Sequence, residues 1–180
     1  MRITLLIAAA LPLAACNQAS VTLTNASPEE VAKAASDSGI HFNPGKWETT
    51  IEVTDAQLPE MPNMPKGMGD LMLARMKEPQ KHSYCMSAEE AAKPGGNFLT
   101  GDARSKCTVE KFSMNGGHIE QTVSCPDRNG KEGMRMVTSG TYTGDSMTGT
   151  ADMQMGGPAP MKIKANISSR RIGDCAAGEK

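Results

Sequence analysis

Sulfur carries most of the chemistry available to this chain, as five cysteines and fourteen methionines. Cys85, Cys107, Cys125 and Cys175 fall at wide intervals with no C-x-x-C pair, which argues against a zinc knuckle and a thioredoxin-like redox centre. Met61, Met64, Met68, Met72 and Met76 recur every three or four residues. A thioether is a soft ligand that selects Cu(I), so this run is one candidate for metal buffering. It equally fits a pliable apolar lid or ligand contact, and Pro62 and Pro65 keep its first part from forming one helix. His41, His82 and His118 stand far apart, without a cysteine or acid at ligand spacing, and read as polar surface. The sequence holds no Gly-rich phosphate loop, no G-x-S-x-G elbow and no H-E-x-x-H. Its paired carboxylates, Glu29-Glu30 and Glu89-Glu90, fall in first turns of helices, where capping and the helix dipole account for them. The expectation is a protein that is not an enzyme, with no metal and no cofactor.

The fifth cysteine carries an address. Leu13-Ala14-Ala15-Cys16 closes an apolar run over residues 3–13 that begins behind Arg2 and breaks at Pro12. A spanning helix needs about 20 apolar residues, so the run has the length of a secretory signal instead. Its ending resembles the lipobox of bacterial lipoproteins. That resemblance implies removal of residues 1–15, acylation of Cys16 and a membrane partner reached through the lipid. One acyl chain binds a bilayer only marginally, and a multiply acylated cysteine supplies the second signal that stable anchoring needs. Asn17 follows the cysteine where an inner-membrane retention signal would have Asp, which favours the periplasmic face of the outer membrane.

Export decides how the other cysteines are read, since an even set in an oxidising compartment implies two disulfides. With 19 basic and 20 acidic side chains, no electrostatic case exists for nucleic acid. One Trp, two Tyr and three Phe leave a thin core built from Met, Val, Ile and Ala. Plentiful Gly and Pro suit short strands and turns.

Several elements must position these residues. Ser27-Pro28-Glu29-Glu30 is a capping box opening a helix that stops near Gly39. Its apolar face is only Ala and Val, which places it in a flexible tether over residues 16–41. The folded domain is expected over residues 42–176, followed by a tail at 177–180. Trp47, Thr49, Ile51 and Val53 alternate with polar neighbours, the mark of a strand with one wet face. A proline-rich stretch over 58–66 precedes a short helix near 69–77, and Ser87-Ala88-Glu89-Glu90 is a second capping box. Strand patterns then follow over 106–114, 118–125, 134–142, 147–155 and 161–168. Short connections between them imply an antiparallel meander. In it Met134, Met136, Met147, Met153 and Met155 face inward, and small inward residues such as Gly149 and Ala151 leave room for a pocket.

The hairpin at Asn115-Gly116-Gly117 selects the disulfides. With these three residues as the loop, Met114 faces His118, and counting outward sets Val109 against Val123 and Cys107 against Cys125. Opposed Cα atoms in an antiparallel pair lie about 4.5–5.5 Å apart, within disulfide reach. Cys85–Cys175 is the remaining pair.

An ordered series of motifs runs through the domain. It comprises Pro44-Gly45-Lys46-Trp47-Glu48, Cys85-Met86-Ser87-Ala88-Glu89-Glu90-Ala91, Cys107, Phe112-Ser113-Met114-Asn115-Gly116-Gly117, Cys125, Ser139-Gly140-Thr141-Tyr142 and Arg171-Ile172-Gly173-Asp174-Cys175. The series resembles domain of unknown function family 3617, small exported proteins of Gram-negative bacteria, over residues 42–175. The resemblance implies a β-rich periplasmic domain, often lipid-anchored, with no activity and no catalytic residue to carry over. The fold expected from the chain is mainly β. It is an antiparallel meander of six to eight strands curved into a sheet or partial barrel, with one or two short helices, under a Met/Pro-rich cover. The function expected is non-enzymatic binding of an apolar small molecule or an envelope partner. Met-based Cu(I) binding and a purely structural envelope role are the alternatives.

Overall fold

Period-two alternation dominates the chain, and one antiparallel sheet of eight strands results. The structure, a computed structural model, describes residues 19–59, 65, 67–92, 106–127, 129–157 and 160–178. The strands are β1 (Ser20–Ala26), β2 (Gly45–Gln57), β3 (Gln80–Met86), β4 (Thr108–Asn115), β5 (His118–Pro126), β6 (Glu132–Tyr142), β7 (Ser146–Met155) and β8 (Met161–Gly173). The helices are α1 (Pro28–Asp37), α2 (Met68–Met76) and α3 (Ala88–Ala91), at the three places the sequence marks. The sheet runs β1-β4-β5-β6-β7-β8-β2-β3, so the predicted meander forms its centre and β1 and β3 its edges.

The sheet is curled without closing. Laid flat at about 4.8 Å per strand, β1 and β3 would stand about 34 Å apart. Yet Val21 and Ala26 of β1, Val109, Phe112 and Met114 of β4, Trp47 of β2 and Met86 of β3 share one core cluster. Gly140 and Gly149 oppose each other on the inner face, and a Cβ on either would strike the carbonyl of its neighbour strand. Backbones this close require glycine and ease a tight curve.

Residues 19–41 belong to the folded unit, which corrects the expectation of a tether. β1 pairs with β4 from Ser20↔Asn115 to Ala26↔Val109, and Val31 and Ala35 of α1 are fully buried. The Ser27 hydroxyl accepts from the Glu30 amide at 3.2 Å, and Glu30 Oε2 accepts from the Ser27 amide at 2.7 Å. A face of Ala and Val suffices because α1 lies directly on β1 and β4, where small side chains permit close approach.

Both predicted disulfides are present, Cys107–Cys125 with Cα atoms 4.1 Å apart and Cys85–Cys175 with Cα atoms 5.7 Å apart. The hairpin register between them and the turn differs from the simple count. Asn115 pairs with His118 across a two-residue turn of Gly116 and Gly117, both at positive φ, so Met114 faces Ile119. A bulge at Glu110 then restores Val109↔Val123, and the cysteines meet as counted.

Candidate functional site

The two ends of the curl differ. The closed end collects the first, second and last motifs of the domain. Gly45, at φ +138°, leaves room for the Gly173 carbonyl and the Arg171 guanidinium; a Cβ there would sit 2.5 Å from Gly173 O. Arg171 Nε donates to the Pro44 carbonyl at 2.7 Å, and Arg171 also pairs with Asp174. Trp47 Nε1 donates to the Asn43 carbonyl at 3.0 Å, and the Asn43 amides donate to Gly144 O at 2.7 Å and Asp145 Oδ1 at 2.9 Å. Met86 pairs with Gly45, and the Phe42 amide reaches the Ala91 carbonyl at 3.2 Å. Phe42 meets Trp47 edge-on at 5.8 Å between centroids and Tyr142 at 6.2 Å. These polar atoms are engaged in holding the chain together, so the motifs here are architectural.

A pocket of about 320 Å³ opens beside this end, lined by Ala19, Ile40, His41, Tyr142 and turn glycines. A His41 ring nitrogen lies 2.9 Å from the Gly39 carbonyl, and burial raises the Tyr142 phenol above its ordinary pKa. Nothing in this lining pairs a nucleophile with a base. Further along the inner face, Ser169 is buried with its hydroxyl 2.9 Å from Thr49 Oγ1. Burial, and secondarily the Glu90 carboxylate, raises the nearby Tyr84 phenol, while a hydrogen bond with Ser169 works the other way.

Towards the open end the inner face loses its cover on β6, β7 and β8, while Val109 and Val123 in the same rows of β4 and β5 stay buried. Trp47 is fully buried, Ala151 and Ala165 in the middle rows are 7% exposed, and Met155 at the far end is 40% exposed. The rows are set by register. Thr138, Ala151, Ala165 and Val53 form one, Met136, Met153 and Ile163 the next, and Met134, Met155 and Met161 the last. Ile51 and Ile167 lie one row towards the closed end. Apart from the small residues in the middle rows these side chains are only partly buried, and Ile51 is 40% exposed. The outer face of the same strands is mostly polar, with Val137 exposed on it. Ser139 meets Thr150, Thr141 meets Thr148, and Lys164 pairs with Asp152.

The sequence-derived candidates scatter. Cys16, Met61 and Met64 lie outside the described residues. Met68, Met72 and Met76 lie on α2, which has no buried residue, so α2 does not form the expected packed cover. Met147 packs against the core as expected, whereas Met134, Met136, Met153 and Met155 stay outside the core cluster, with Met155 exposed. Their alternation showed that they face inward but not that the face is uncovered. Among the described residues no group of three His, Cys, Asp or Glu could hold a metal, and no helix is long and apolar enough to cross a membrane. The family model described as Protein of unknown function (DUF3617) matches residues 42–175. Comparison with curated proteins and with solved structures gives no match.

Proposed function

The chain belongs to the DUF3617 family, and since that membership supplies no activity we propose that it is a non-enzymatic binding protein, exported and lipid-anchored through Cys16 on the periplasmic face of the outer membrane. Its inner sheet face at the open end holds an apolar small molecule. The observation behind this reading is the continuous apolar surface of Ile51, Val53, Ile163, Ile167 and the adjoining methionines, left partly exposed on the concave side of a curled sheet. Apolar surface gathered on a concave face is where binding sites commonly form. Concavity favours a small molecule over a flat protein partner, and methionine side chains adapt to different shapes.

A Cys16→Ser variant, which lacks the acylation site, can be purified without detergent and its organic extract examined by mass spectrometry. The expected result is a co-purifying apolar compound, lost when Ile167→Glu is added. A chain that emerges empty and binds no apolar fluorescent probe overturns the binding reading. Radiolabelled palmitate appearing in the wild type but not in Cys16→Ser checks the anchor separately.

A further inference from the structure

The last two rows of the open face are made almost entirely of one side chain. β6, β7 and β8 contain six methionines and no leucine. Five of the six meet at one end of one face: Met134↔Met155↔Met161 across three strands, with Met136↔Met153 one row inward. Opposed Cα atoms in such pairs are about 4.5–5.5 Å apart, and successive same-face rows about 6.8 Å apart. Three rotatable bonds per side chain let neighbouring thioethers turn towards a common point.

Apolar packing alone does not account for this choice. Leucine, isoleucine and valine are the ordinary side chains of sheet interiors, and the β-branched ones suit strands better than methionine does. The methionines here are not in the core, where plasticity would fill irregular gaps. They occupy the partly exposed rim of the curl.

The structure also fixes the rim. The Gly156 amide donates to the Gly133 carbonyl at 2.8 Å, holding β6 and β7 together beyond Met134↔Met155. The Asp127 carboxylate accepts from the Asn129 and Lys131 amides, each at 2.8 Å, and so braces the preceding turn. Cys125, which faces Met134 from β5, is tied into its disulfide and is no longer a thiol. The nearby charges, Arg135, Asp152, Lys162 and Lys164, alternate onto the outer face.

We propose that Met134, Met136, Met153, Met155 and Met161 form a thioether site for a soft monovalent cation, Cu(I). Clustered thioether sulfurs are soft donors and suit a soft ion better than a hard one. A single positive charge costs least to desolvate in such apolar surroundings. This site is separate from the 61–76 methionine series, and it does not rest on the apolar-ligand reading, although it shares that face.

The test is titration of the full chain with Ag(I), a redox-inert probe, and anaerobically with Cu(I). The comparison is a Met134→Leu, Met155→Leu, Met161→Leu variant that retains the apolar volume. The expected result is one ion per chain with submicromolar affinity, weakened roughly tenfold or more in the variant. Methyl-labelled methionine NMR of the wild type should show shifts concentrated in the five rim methyls, a readout that needs no variant to fold. Binding no tighter than micromolar, unchanged affinity in the variant, or shifts centred on Met68, Met72 and Met76 overturns the assignment. The wild-type chain is titrated separately with an apolar fluorescent probe, so failure of the metal site and failure of the apolar site are read separately.

Discussion

The covered and open regions of the inner face arise from the same alternation, yet rows that are sealed on β4 and β5 stay open on β6, β7 and β8. At the closed end, Phe42, Trp47, Met86, Met114 and Ile119 are buried under α1, α3 and the segment leading into β2. At the open end, the β6–β7 and β7–β8 registers continue unbroken to Met134↔Met155↔Met161, but the side chains remain partly in water. Regular strand pairing and a covered core are thus separable. Backbone hydrogen bonds and an orderly outer face keep the sheet intact where no second layer is packed on it.

Breaking the closed end should cost most. Removing Cys85–Cys175 by paired serine substitutions frees a loop spanning 90 residues. Denaturant unfolding should show a loss of about 4–5 kcal/mol. Truncating the packed layer comes next. Phe112→Ala should cost about 3–4 kcal/mol, while Ile167→Ala on the open face should cost about 1 kcal/mol or less. Equal costs at the two positions, measured by the same unfolding curves, would erase the distinction between the covered and the open strands.

A smaller effect tests how firmly α1 seals its part of the sheet. Ser27→Ala removes the N-cap and should cost about 1 kcal/mol. The Ser27 amide and hydroxyl hold the Glu30 carboxyl below its ordinary value of 4.5, and Ser87 does the same for Glu90. A carboxyl whose pKa is lowered by folding stabilises above its unfolded pKa, and that contribution is lost as pH falls through the lowered folded value. Glu30→Gln should therefore flatten the dependence of stability on pH below about 4.5 without altering it near neutrality. Met155→Leu should have the least effect on stability, within about 0.5 kcal/mol, because the side chain is exposed and the swap nearly conserves volume.

Much of the fold is legible in the sequence, and the gaps have physical causes. Strands β2 and β4 to β8 announce themselves by alternation, and both capping boxes form as their residues indicate. The edge strands are harder to read. β3 is polar over most of its length, with Gln80 to Ser83 exposed, and is held by its backbone bonds to β2. β1 carries the alternating Val21-Thr22-Leu23-Thr24, but sits beside a sequence that reads as a polar tether. Edge pairing draws on a partner strand far away in the chain, so local pattern does not announce it. The candidate site was half legible for the same reason: alternation gave the direction of Met134, Met136, Met153 and Met155, and cross-strand register added Met161 and drew them together.

The sequence by itself determined strand periods, the glycine turn and the helix caps, and it named the cysteine pairs by a count that holds because the Glu110 bulge offsets the shorter turn. Each depends on neighbours along the chain or on counting outward from one hairpin. Only the tertiary structure decided which part of the inner face is sealed and which is left to water. That outcome depends on how far the sheet curls at Gly140 and Gly149 and on where α1 comes to rest, both set by contacts between residues remote in sequence.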